Sequence, residues 1–157
     1  MESASRVLPL RLAVVALAAL GCAGDPVPLY DGPQRPTTEV AQVVAVSPTR
    51  ASIFGIDDTR RRGTAFELEP GVHRVWAHVR EEHLENGWDY SIWMYCAIQA
   101  ELAPGHRYEL RSVNEVVKGK ADTTELRVAA KLVDPATGAE LHASYCGREA
   151  IGLRDEE

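Results

Sequence analysis

Three thiols, Cys22, Cys96 and Cys146, are the most reactive groups in this chain. A cysteine attacks as its thiolate, which calls for a neighbouring cation, a helix N-terminus or a Cys-x-x-Cys pair. None of the three stands in such a context. His78, Glu81, Glu82 and His83 place four metal-ligand types within six residues, but a strand running into a loop does not aim four side chains at one point, and the HExxH helix motif is absent. That stretch reads as a solvated charged loop, with no metal and no cofactor expected. His73 and His106 each follow a Pro-Gly pair and read as supports of their turns. No Ser/His/Asp set, paired-carboxylate motif or phosphate-cradling glycine loop is visible, so no catalytic residues are assigned and the chain reads as a non-enzyme. The remaining candidates are aromatic. Trp88, Tyr90, Trp93 and Tyr95 gather after Asn86-Gly87, and exposed rings of this kind stack on sugars or anchor a protein partner. The competing reading is ordinary cross-strand packing, or cover by a proline-rich arm.

Strands must position these rings. Beyond residue 38 the apolar pattern has period two, and the runs are rich in Val, Ile, Trp and Tyr between Gly, Pro, Asp and Asn turns. The expected strands are Glu39 to Val46, Ala51 to Ile56, Thr64 to Leu68, His73 to Val79, Ser91 to Leu102, Arg107 to Val113, Glu125 to Val133 and Glu140 to Tyr145, with at most a turn near Asn114 to Lys118. About eight short strands at hairpin spacing predict an all-β fold, a single antiparallel sandwich or small barrel. Pro70-Gly71 and Pro104-Gly105 close two similar hairpins, because proline presets the first central position of a turn and glycine accepts positive φ at the second. Glu85-Asn86-Gly87 and Pro135-Ala136-Thr137-Gly138 are turns by the same logic. In the Ser91 to Leu102 run, Ile92, Met94, Cys96, Ile98, Ala100 and Leu102 form the core face, and Trp93, Tyr95, Ala97, Gln99 and Glu101 face away.

Ahead of the strands, Leu12 to Leu20 is an apolar run behind Arg6 and Arg11. It is too short to cross a hydrocarbon core, which takes roughly 20 apolar residues, and has the length of a signal-peptide h-region followed by small residues for processing. Ala19-Leu20-Gly21-Cys22 resembles the lipobox of bacterial lipoproteins, with Ala19 and Leu20 in reversed order. The resemblance implies a cleaved signal peptide over residues 1–21, a lipidated Cys22 and a membrane anchor. Ala23, where an Asp would retain such a protein in the inner membrane, points by the family's sorting rule to the outer membrane, facing the periplasm or the cell surface. With Cys22 lipidated, Cys96 and Cys146 remain as one pair in an oxidising compartment, and a disulfide is expected. Cys146 has the opposite parity to Leu141, Ala143 and Tyr145, so that bond requires the last strand to end or twist near Tyr145.

Residues 22–38 carry Pro26, Pro28, Pro33 and Pro36, which disfavour helix and read as a tether; in the alternative, Leu29 and Tyr30 pack back as a short arm. The sandwich is placed at 39–153 and an acidic tail at 154–157. The net charge of −6 becomes about −7 once Arg6, Arg11 and Glu2 are removed. An acidic domain whose basic cluster is Arg60-Arg61-Arg62 is a poor nucleic-acid binder, and polyanions are not expected as partners.

Ile53-Phe54-Gly55-Ile56-Asp57-Asp58 followed by Leu68-x-Pro70-Gly71-x-His73-x-Val75 resembles the PEGA-type β-sandwich module, with Asp58 where the module has Gly. Together with Tyr30-Asp31-Gly32-Pro33-x-x-Pro36 and Pro104-Gly105-His106-x-Tyr108, it is similar to small bacterial envelope lipoproteins over about Tyr30 to Leu110. The likeness implies envelope location and a binding or scaffolding role, and carries no catalytic residues. The expectation is an envelope lipoprotein acting as a non-catalytic binding or assembly accessory, with an envelope protein or glycan as partner. Its rival is a secreted or periplasmic enzyme or small-ligand binder with a loop-assembled site. A deep polar pocket holding two or more of His73, His78, His106, Glu81 and Glu82 would favour that rival.

Overall fold

A long hairpin is the spine of the molecule. In the computed structural model, β6 (Gly71–Glu85) pairs with β7 (Trp88–Leu102) in unbroken antiparallel register from Gly71↔Leu102 to Glu85↔Trp88. The structure describes the backbone of residues 25–47, 49–85, 88–118 and 124–149; the side chains of residues 81–90 and 115–126 lie outside the described set, as does Cys22. The remaining strands are β1 (Val27–Pro28), β2 (Ala41–Ala45), β3 (Ala51–Ile56), β4 (Thr59–Gly63), β5 (Ala65–Leu68), β8 (Arg107–Lys118), β9 (Thr124–Asp134), β10 (Ala139–His142) and β11 (Tyr145–Gly147). They form two sheets, β1-β5-β2-β8-β9-β10 and β11-β7-β6-β3-β4. This is an all-β sandwich, as the period-two pattern predicts.

The inner faces meet in one core. Val43, Phe66, Leu68, Leu110 and Leu132 come from the six-stranded sheet, and Ile53, Val75, Val79, Ile98 and Leu102 from the five-stranded sheet. Burial of this alternating apolar set is what drives the sheets together. The Pro-Gly pairs turn the chain with positive φ at Gly71 and Gly105, but they do not close hairpins as expected: Pro70-Gly71 leads from β5 to β6 and Pro104-Gly105 from β7 to β8, each crossing from one sheet to the other.

Three further details depart from the sequence expectation. There are eleven strands among the described residues, and two pairings, β1 with β5 and β2 with β8, are parallel, so the larger sheet is mixed. The segment expected as at most a turn, Asn114 to Lys118, is strand, because β8 stays paired with β9 as far as Lys118↔Thr124. The Arg60-Arg61-Arg62 cluster is itself an edge strand, β4. Its hairpin turns at Asp57-Asp58, where Asp57 takes φ 54°, a left-handed conformation that Asp tolerates better than most residues.

The parity problem at Cys146 is solved by a change of sheet. The Ala143 N–H donates to the Ala130 carbonyl in the larger sheet (2.9 Å), and the next N–H, of Ser144, donates to Ala97 in the smaller one (2.9 Å). The chain then runs on as β11 with Cys146 directly opposite Cys96, and the two are joined (S–S 2.10 Å).

Residues 25–38 are anchored rather than extended into solvent. Leu29 packs on the core, and its N–H donates to the Glu67 carbonyl (2.8 Å). The Tyr30 hydroxyl donates to Glu67 Oε2 and Gln42 Nε2 to Glu67 Oε1, each at 3.1 Å, which satisfies a carboxylate that is only 3% exposed. Arg35 stacks over the Tyr30 ring at 4.9 Å and pairs with Glu69 at 2.7 Å. Of the two readings, tether or arm, the structure shows the arm.

Candidate binding face

Two faces of the sandwich look outward, and the arm covers part of one of them. The outer face of the five-stranded sheet carries the rings. On β7, Trp93, Tyr95 and Ala97 alternate outward; on β6, Trp76 and His78 do so; β11 adds Tyr145. Register does the assembling: His78 is directly opposite Tyr95, Trp76 is opposite Ala97, and Tyr145 is opposite Ala97 from the other side. Cross-strand neighbours of this kind are the unit of sheet packing. His78 therefore stacks on Tyr95 (4.7 Å, 15° between planes) and on its diagonal neighbour Trp93 (4.3 Å, 23°). Across the small Ala97, Trp76 meets the edge of Tyr145 (6.4 Å, 72°).

Phe54 joins this layer through a β-bulge. The register of β3 slips between Ile53 and Gly55 against both neighbouring strands. The extra residue lets Ile53 and Ile56 both face the core, which strict alternation forbids, while Phe54 points out. Its ring lies 4.7 Å from Tyr95 and 5.4 Å from His78. The guanidiniums of Arg60 and Arg62, projecting from β4, sit over the Phe54 ring at 5.0 and 4.9 Å. Cation–π contacts of this geometry contribute about 0.5–1 kcal/mol each at exposed sites.

The layer has a covered end and an open end. Phe54 and Trp76 are 2% and 3% exposed, and the Trp76 indole N–H donates to the Asp57 carbonyl (3.2 Å). Trp93, at the other end of the stack, is 40% exposed. Burial and then the nearby positive charge of Arg62 hold the His78 pKa below the usual imidazole range, so the ring is neutral at neutral pH. Neither of its ring nitrogens has a hydrogen-bond partner among the described residues, and Arg62 makes no ion pair among them.

Of the four rings singled out in the sequence, the structure brings Trp93 and Tyr95 together. Trp88 and Tyr90 belong to the same strand, paired with Glu85 and His83, and their side chains lie outside the described residues. Proline-rich cover of the rings does not occur among the described residues, since the arm pairs with β5 of the opposite sheet and bonds to Glu67 there. Sequence reading missed Phe54, Trp76, His78, Tyr145 and the two arginines. For Trp76 and His78 the signal was present: they alternate with Val75, Ala77 and Val79 and so had to face away from the core.

The other histidines tie turns together. His73 Nδ1 lies 3.0 Å from Asp57 Oδ2 and its Nε2 2.8 Å from the Glu69 carbonyl oxygen; a carbonyl only accepts, so Nε2 is the donor. His106 Nδ1 lies 2.7 Å from Asp134 Oδ2, which also accepts from the Thr137 hydroxyl (2.9 Å), while Oδ1 accepts from the Ala136 N–H (2.9 Å). Recesses flank the sandwich, two of them lined by described residues. One of about 210 Å³ is lined by Asp57, Asp58, Val72, His73, Arg74 and Gln99. The other, of about 500 Å³, lies under the arm between Tyr30, Arg35, Arg61 and Glu69. Neither combines two of the histidines and glutamates that a loop-assembled site would use. Among the described residues no three His, Cys, Asp or Glu side chains are grouped to hold a metal; the side chains of Glu81, Glu82 and His83 lie outside that set. No helix among the described residues is long and apolar enough to cross a membrane. No family model, curated protein or solved structure matches the chain.

Proposed function

We propose that this chain is an envelope lipoprotein, anchored in the outer membrane through a lipid on Cys22, whose sandwich is a non-catalytic binding or assembly accessory. Its docking surface is the outer face of the five-stranded sheet. The observation that carries this reading is the Trp93 ring, 40% exposed at the open end of a continuous aromatic stack. Rigid rings prepacked on their neighbours give up little entropy when a partner covers them. The placement of the arm supports the reading. The chain enters along the edge of the six-stranded sheet at β1, so an anchor at Cys22 leaves the aromatic face of the other sheet open to a partner. The PEGA-type resemblance and the lipobox agree with an envelope role.

Two measurements test it. The intact mass of the membrane-extracted protein is expected to begin at Cys22 with a diacyl or triacyl increment. The full chain in detergent is expected to be retained on purified, delipidated envelope fragments, and Trp93→Ala is expected to abolish retention with little change in melting temperature. A lipid-free mass in the soluble fraction overturns the anchor. Undiminished retention of the Trp93→Ala variant overturns the docking face.

A further inference from the structure

The polar groups set into the aromatic face are specific enough to name a ligand class. The neutral imidazole of His78 offers one N–H donor and one acceptor nitrogen, neither of them used among the described residues. That pairing matches a hydroxyl group, which both donates and accepts, better than the one-way groups of a carboxylate or an ammonium. Trp93 and Tyr95 lie against the same imidazole; Tyr95 is taken up by His78 and Phe54, while Trp93, 40% exposed, presents ring surface on which the C–H face of a pyranose stacks. Arg62 projects from β4 over Phe54, exposed and without an ion pair among the described residues. Its planar fork is suited to a carboxylate.

Spacing sets the ligand's size. Trp93 and Arg62 lie on β7 and β4, which are separated by β6 and β3. Three strand spacings of about 4.8 Å put the two ends of the site roughly 14 Å apart. The ligand then lies along the outer face of the five-stranded sheet, across β6 and β3.

We infer that the face formed by Trp93, Tyr95, His78 and Arg62 binds a short acidic saccharide, a sugar ring stacked on Trp93, a hydroxyl on His78 and a carboxylate on Arg62, with Tyr95 holding the imidazole in place. The inference rests on the docking face proposed above and gives it a ligand. One carboxylate meeting one guanidinium is a local contact, compatible with a domain whose overall acidity disfavours polyanions.

Titration calorimetry on the full chain in detergent, with trigalacturonate as the probe, tests it. Maltotriose serves as the uncharged saccharide and triglutamate as the acidic peptide. Trigalacturonate is expected to bind, and maltotriose about 10-fold or more weaker, since the hydrogen bonds to a charged group are lost. Arg62→Gln is expected to reduce the preference between the two sugars to near unity. His78→Phe, which keeps a ring in the stack, is expected to weaken both sugars alike. Equal binding of maltotriose by the unaltered protein overturns the role of Arg62, and equal or tighter binding of triglutamate overturns the saccharide in favour of an acidic peptide. Failure of trigalacturonate to bind, with Trp93-dependent retention on envelope fragments intact, overturns the ligand class and leaves the docking face standing. Loss of both results removes the docking face itself.

Discussion

Reducing the Cys96–Cys146 bond should destabilise the sandwich more than any single exposed-residue change. The bond closes a segment with a sequence separation of 50. Removing that closure returns about 4 kcal/mol of conformational freedom to the unfolded chain, a large part of the 5–15 kcal/mol that holds an ordinary domain folded. For a folded region of about 125 residues the melting entropy is roughly 0.26 kcal/mol/K, so the expected drop is about 15 °C. Locally, β11 has three residues paired with β7, and the bond holds Tyr145 against Trp76. Calorimetry of the protein and of Cys146→Ala, each with and without a phosphine reductant and with free thiols titrated, reads the effect. The unaltered oxidised protein is expected to melt highest, to fall to the level of the variant on reduction, and the variant to ignore the reductant. Trp76 fluorescence should also shift to the red as Tyr145 leaves. An unchanged melting temperature, with two additional thiols titrating after reduction, would refute the reasoning and make the bond incidental to the fold.

The two ends of the aromatic layer should respond differently to truncation: Phe54→Ala is expected to cost about 3–5 kcal/mol, because a buried ring leaves a cavity, and Trp93→Ala about 1 kcal/mol or less, both readable in urea unfolding. Tyr30→Phe leaves the Glu67 carboxylate with one of its two side-chain partners and should cost about 1–3 kcal/mol, with faster proteolysis of the arm as the second readout. Acid should act through two groups. The folded pKa of His78 is depressed by burial and then by Arg62, so the unfolded chain binds more protons. The associated stability is complete above the ordinary imidazole range and falls as pH drops through it, a slope that His78→Phe should remove. Burial alone would raise the Asp134 pKa, but the bonds from His106, Thr137 and the Ala136 N–H outweigh it and leave it lowered. Its contribution is present above the usual carboxylate range and is lost as pH falls through the folded value, so Asp134→Asn should flatten the acid limb of a melting-temperature profile.

The strands that could be read were those whose own side chains alternate. Ser91 to Leu102 is legible because every second residue is apolar and small enough to pack, and the structure puts Cys96, Ile98, Ala100 and Leu102 in the core as read. Strand β4 was illegible because Thr59-Arg60-Arg61-Arg62-Gly63 has no apolar alternation; it is an edge, where charge is tolerated and discourages pairing with another chain. The outer part of β6 was undercalled for the same reason. Arg80 to Glu85 are mostly charged, and their strand conformation comes from hairpin register carried outward from the core. The parallel pairings and the two-residue β1 depend on where distant segments meet, which period and turn chemistry do not encode.

The candidate face fails to show in the sequence for a related reason, since it is assembled from four strands by register and one bulge. Trp93 and Tyr95 are neighbours in sequence and were found; His78 joins them through the β6–β7 register, and Phe54 and Arg62 only when β3 slips by one residue and β4 folds back at Asp57. Net charge misleads in the same way. A total of −6 describes long-range attraction, which acts over about a Debye length, and on that scale the exclusion of nucleic acid stands as an expectation. Recognition of one carboxylate is a contact property. It depends on Arg62 being held over Phe54 beside a neutral imidazole, and a sum over the chain cannot register it.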